Sequence, residues 1–227
     1  MSFINDGVSY YPRGAAMPTK SRMKEYYGFF YSFNNEQLWI NSTDTLGVFP
    51  VIIEKEVEQL DICLDKFGRI LVVRFDLSCD EYSGDNQTIS VFLNRLKEKL
   101  FKLKKYRRMK DIGHVWVREV ETVKTQHYHV ALFMDGNKIQ HPSALLQLIK
   151  DRWYKYGRLW IPKKEHVDDD GCFYFIDKKK KDWEEVRRKA IYRLSYLGKT
   201  RGKGNKDIQA KNYSVSRLKA MNPIMTP

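Results

Sequence analysis

The segment Gln126-His127-Tyr128-His129-Val130 carries two imidazoles at positions i and i+2. In an extended chain such positions point to one side, about 7 Å apart along the backbone. Two neutral imidazoles on one face can hold a divalent cation when a third ligand joins them. The neighbouring acids are Glu119 and Glu121, on the preceding stretch. The register of the hairpin decides which of them faces the histidines. An even connection pairs Arg118 with His129 and turns both glutamates away; a three-residue or bulged connection brings Glu119 or Glu121 across. A pair of satisfied histidines on a half-buried face is the other reading of the motif.

A second group is Tyr192, Tyr196 and Lys199. On a helix, with steps of about 100° per residue, Tyr196 falls about 40° and Lys199 about 20° from Tyr192. Trp183, Val186, Ala190, Leu194 and Leu197 gather on the opposite side and suit an anchoring stripe. The two phenols and the amine therefore lie away from the core side, either as nucleophile and cation or as an exposed aromatic ladder. From Asp177 to Lys206 there are twelve Lys or Arg against four acids, a local net charge of +8. Such a segment attracts a polyphosphate backbone, or is a solubilising face.

The elements that must carry these groups follow from periodicity. Residues 50–66 read as a helix with Ile53, Val57, Leu60 and Leu64 in phase and Gly68 as its stop. Residues 70–77 (ILVVRFDL) read as a central strand, and 87–106 as an amphipathic helix with a basic far end. Residues 112–121 and 126–134 form a β-hairpin, 142–156 a helix, 172–176 a strand and 182–198 the last helix. Strands and helices interleave around a hairpin, which predicts an α+β fold: an antiparallel or mixed central β-sheet with helices packed on it, in two layers or as a sandwich. Residues 1–48 read as an N-terminal arm or extension, 49–215 as the main domain and 216–227 as a tail. The aromatic stretch 21–48 has no clean period and is assigned no element.

Composition narrows the function classes. The chain has 227 residues, 42% hydrophobic and 14% aromatic, too apolar for a disordered protein. No apolar run approaches the length of a membrane helix, and the start lacks the apolar core of a secretory signal. Three cysteines without a CxxC pair argue against a disulfide scaffold and suit a reducing cytosol. The net charge of +13 points to a polyanionic partner, most simply nucleic acid.

Three stretches together resemble a known family: Val72-Val-Arg-Phe-Asp-Leu77, Trp116-Val-Arg-Glu-Val120 with His127-Tyr-His-Val130, and Leu194-Ser-Tyr-Leu-Gly-Lys199. Their order and type look like the HUH endonuclease superfamily. More narrowly they are similar to the inovirus-type (filamentous-phage) rolling-circle replication initiators and the YagK/YfjJ C-terminal domain family, over about residues 69–200. The resemblance implies metal-dependent nicking and rejoining of single-stranded DNA through a 5′-phosphotyrosine. His127 and His129 would ligate Mg2+ or Mn2+, with Glu119 as third ligand and Glu121 in reserve. Tyr196 would be the nucleophile, Lys199 its cationic partner, and Tyr192 a second tyrosine in those relatives that use two. Asp76 lies near the family's first motif, with a structural or metal-adjacent role. The implied setting is the cytoplasm of a bacterial host, with an origin hairpin as substrate. Host helicase and polymerase would be further partners, since no Walker-type loop is present for unwinding. Two alternatives stay open: a DNA-binding replication regulator that does not cleave, and an HUH transposase or relaxase.

Overall fold

The computed structural model of the protein describes residues 23–106, 109, 111–120, 126–163, 171–203 and 210–219. Its elements in chain order are β1 (Phe30–Phe33), β2 (Glu36–Trp39), α1 (Pro50–Phe67), β3 (Arg69–Cys79), α2 (Gln87–Lys102), β4 (Ile112–Val120), β5 (Gln126–Asp135), α3 (Ser143–Trp153), β6 (Gly157–Trp160), β7 (Phe173–Asp177), α4 (Trp183–Leu194) and β8 (Tyr213–Val215). Short 3-10 turns follow α2 at Lys104–Tyr106 and α4 at Ser195–Gly198.

The central sheet is antiparallel throughout, in the order β6-β3-β5-β4-β8, and β7 also pairs with β3. The eleven-residue β3 is long enough to take two partners on one edge: its first half pairs with β7 and its second half with β6. Side chains alternate across the pleat, so each strand feeds two cores. Ile70, Val72, Val117, Ala131 and Phe133 pack with α1 and α4, whereas Leu71, Val73, Phe75, Val130 and Leu132 pack with α2 and α3. Both faces are thus covered, which is why Ile70–Val73 of β3 and Val130–Met134 of β5 are apolar without a break. This is the expected α+β arrangement, in three layers.

Helix α1 starts with Pro50 in its first turn and ends where Gly68 takes a left-handed φ of 69° and returns its N–H to the Leu64 carbonyl at 2.8 Å. Three boundaries differ from the periodic reading by more than two residues. Helix α2 stops at Lys102, because Leu103 is extended and the chain re-enters only as a 3-10 turn. Helix α3 spans Ser143–Trp153 rather than 142–156, as Gly157 must turn the chain into β6 with a φ of 154°. The last helix ends at Leu194. There the Ser195 hydroxyl donates to the Tyr192 carbonyl at 2.7 Å, and the chain tightens into 3-10 geometry.

Of the segment read as an N-terminal arm, residues 23–48 are described. They carry the β1–β2 hairpin, and their Leu38, Ile40 and Val48 are buried in the α1/α4 core. Glu121 lies outside the described residues. Cys63, Cys79 and Cys172 are free thiols. Among the described residues no helix is long and apolar enough to cross a membrane.

Candidate functional site on the sheet

The register of β4 and β5 answers the question of the glutamates. Glu119 stands opposite His127, and Val117 opposite His129. Directly opposed residues of an antiparallel pair share a face. Glu119 therefore lies on the histidine side. On the other flank Asp76 of β3 stands opposite His129 and Ser78 opposite His127. The adjacent Arg118 goes to the reverse face. It is 2% exposed, and its guanidinium donates to the carbonyls of Ser83 at 2.5 Å and Asp85 at 2.9 Å. In the sequence Arg118-Glu119, one residue fixes the β3–α2 loop and the next faces the site.

His129 sits at the centre, 8% exposed. Its Nδ1 is 2.8 Å from Asp76 Oδ1 and its Nε2 is 2.5 Å from Glu119 Oε2. Burial disfavours the imidazolium, but the hydrogen bonds to Asp76 and Glu119 outweigh it and raise the His129 pKa above the ordinary imidazole value. Burial pulls both carboxyls up in turn. The hydrogen bond to His129 overcomes this in each, with Arg74 assisting at Asp76 and Lys203 at Glu119, and both pKa values lie below normal.

Tyr196 approaches from the 3-10 turn. Its ring stands edge-to-face with His129, the centroids 5.7 Å apart at 82°. The Arg74 guanidinium lies 4.3 Å and the Lys199 ammonium 3.8 Å from the Tyr196 ring centroid. The turn is pinned by the N-terminal segment: Asn41 N–H donates to Ser195 Oγ at 2.7 Å, Phe49 N–H to the Gly198 carbonyl at 2.7 Å, and Thr200 N–H to the Gly47 carbonyl at 3.0 Å. The segment that carried no motif in the sequence therefore holds the tyrosine in place.

Beyond Lys199 the chain folds over the site. Gly202 has a φ of 73°, and a Cβ there would lie 2.2 Å from Glu119 Cγ, so only glycine allows this approach. Lys203, 2% exposed, donates to the Lys199 carbonyl. Burial brings its pKa down to about 8, against the pull of Glu119 and Glu56. Glu56 of α1 is 1% exposed, and among the described residues neither of its carboxylate oxygens has a hydrogen-bond partner.

The structure thus gathers His127, His129, Glu119, Asp76, Tyr196 and Lys199 on one face. Tyr192 does not share a helical stripe with Tyr196, because the helix ends between them. Its ring stacks on Trp39 of β2, with centroids 4.1 Å apart at 24°. Arg74, Glu56, Lys203 and Gly202 were missed in the sequence. Arg74 sits two residues before Asp76 on β3, so period-two alternation could have placed it on the site face; nothing local marks the other three.

Two imidazoles and two carboxylates are a donor set suited to a hard or borderline divalent cation. As they stand, His129, Asp76 and Glu119 are bonded to one another. Among the described residues no three His, Cys, Asp or Glu side chains form an arrangement that could hold a metal ion. The residue types and their shared face fit such an ion, and His129 would have to exchange a carboxylate hydrogen bond for a bond to it.

A comparison with curated proteins and one with solved structures each found no match. Among protein families, the YagK/YfjJ C-terminal domain matches over residues 32–216, from β1 to just past β8 and including every side chain of the site. With so much of the sequence covered, this chain belongs to the YagK/YfjJ C-terminal domain family.

Proposed function

We propose that the protein is an HUH-type nuclease and ligase of single-stranded DNA, similar to inovirus-type rolling-circle replication initiators. The observation that supports this most is the Tyr196 ring edge-on to His129, itself bonded to Asp76 and Glu119, with two cations over the ring. A half-buried carboxylate–imidazole–carboxylate row beside a tyrosine and two cations suits phosphodiester chemistry.

In the reaction Tyr196 Oη attacks a backbone phosphorus in line. The new O–P bond forms as the P–O3′ bond breaks; the phenolic proton passes to solvent, and the departing 3′ oxygen takes up a proton from solvent and leaves as a hydroxyl. The product is a 5′-phosphotyrosyl link with a free 3′ end that a polymerase partner can extend. Attack by a 3′-hydroxyl on the same phosphorus reverses the step and rejoins the strand. The phosphodiester bond energy is conserved in the covalent link, so no nucleotide cofactor is required. Lys199 and Arg74 supply positive charge beside the attacking group. Asp76 and Glu119 orient the His129 ring from both nitrogens, and the residue 41–49 segment keeps Tyr196 from swinging away. A Mg2+ or Mn2+ ion held by His127, His129 and Glu119 would withdraw charge from a non-bridging phosphate oxygen. Tyr192, stacked on Trp39, is the second tyrosine of the alternating-transfer scheme only if it leaves that stack.

The test is a denaturation-resistant adduct between the protein and a labelled single-stranded hairpin in Mn2+. Wild type forms it, Tyr196→Phe does not, and EDTA abolishes it. The engagement of both His129 nitrogens by carboxylates favours one second reading, a DNA-binding regulator that does not cleave. Wild-type protein that binds the hairpin yet gives no adduct would establish that reading instead.

A further inference from the structure

Strand β6 is four residues long and was not visible in the sequence pattern, yet its register sets two side chains beside the site. Trp160 stands opposite Asp76 and Arg158 opposite Ser78. Continued across β3, β5 and β4, this gives two rows on one face: Trp160–Asp76–His129–Val117 and Arg158–Ser78–His127–Glu119. The residue between them, Leu159, turns to the opposite face and packs with the α2/α3 core. Trp160 is 63% exposed, and Arg158 is exposed too.

The position of β6 is enforced. At Gly157 a Cβ would lie 2.0 Å from the Ser78 carbonyl oxygen, so the strand reaches β3 this closely only with glycine. The segment after Trp160 is tied to α4, whose buried Arg193 donates to the Lys163 carbonyl at 2.9 Å. The same helix leads into the turn that carries Tyr196. An open indole, a guanidinium two residues away and a net charge of +13 match a chain that has both bases and phosphates. A stacking indole needs an unpaired base, which selects single-stranded over duplex DNA.

We propose that β6 is the reading edge of the site: Trp160 stacks on an unpaired base next to the phosphate offered to Tyr196, and Arg158 contacts the neighbouring phosphate. This rests on the proposed nicking function for the identity of that phosphate.

The experiment measures binding of a labelled single-stranded oligodeoxynucleotide by fluorescence anisotropy in EDTA, where no cleavage occurs. Trp160→Ala weakens binding by about 5- to 150-fold, the range for loss of one base stack, while Trp160→Phe retains most of it. Arg158→Ala also weakens binding and lowers the salt dependence by about one phosphate contact. In a series of oligonucleotides each with one abasic position, one position weakens the wild type and leaves Trp160→Ala unaffected. A general structural role for the indole would give no such position. Wild-type binding by Trp160→Ala, or no discriminating abasic position, overturns the proposal. If the binding results hold but wild type forms no adduct in Mn2+, the nicking reading falls and the reading edge stands. If the adduct forms but binding ignores Trp160, the reverse holds. A protein that binds single-stranded RNA in place of DNA overturns the assignment of the strand.

Discussion

At the scale of single residues, the site is a set of charges forced together by burial, and each charge depends on the next. Burial works against a charged His129, yet it holds a proton more tightly than a free imidazole because two carboxylates meet its two nitrogens. Glu56 is the counter-example. Burial raises its pKa well above the value of about 4.5 that it has when solvated, only partly offset by Lys203 and Arg74. The folded state then binds the proton more tightly than the unfolded state, so this group's contribution to stability falls as pH rises above about 4.5. Glu56→Gln keeps the shape and removes the titration. The variant's melting temperature relative to wild type is expected to rise steadily with pH from about 4.5 upward. Thermal denaturation across that range checks it, and a constant difference would show that Glu56 is ionised throughout.

At the scale of elements, alternation along β4 splits two adjacent residues between two tasks. Glu119 faces His129 while Arg118 holds the loop before α2 through the Ser83 and Asp85 carbonyls. Arg118→Met fills part of the same space but takes away the donor of those carbonyls, on the half-buried Ser83 and the exposed Asp85. We expect a loss of about 1.5–3 kcal/mol in unfolding free energy, the usual range for hydrogen bonds to a charged group. Denaturant unfolding measures it, and a loss below about 0.5 kcal/mol would mean that water takes over the guanidinium's role. The same logic governs the α4 terminus. An uninterrupted helix would carry Tyr192 and Tyr196 on one stripe, but the Ser195 side chain satisfies the Tyr192 carbonyl and the helix tightens there. One phenol then goes to Trp39 and the other to His129.

At the scale of the whole molecule, the net charge of +13 acts over longer distances than any contact. Binding of a single strand should weaken linearly in a log–log plot against salt, with a slope of about −0.7 for each phosphate neutralised. Anisotropy titrations at several salt concentrations give that slope, and a slope near zero would remove the polyanion from the account. The sequence by itself determined the buried faces of α1, α2 and α3, the apolar runs of β3 and β5, the presence of the β4–β5 hairpin and the side shared by His127 and His129. These follow from periods of 2 and 3.6 residues and are written locally. It also supplied the motif residues Glu119, Asp76, Tyr196 and Lys199. It did not supply the β1–β2 hairpin, β6 or β8, which are three or four residues long and too short to show a period. Tertiary structure alone decided the register that brings Glu119 round, the anchoring of Tyr196 by residues 41–49, the fold-over at Gly202 and the place of Trp160. Each depends on contacts between segments far apart in the chain, and no local pattern of residues encodes the distance between them.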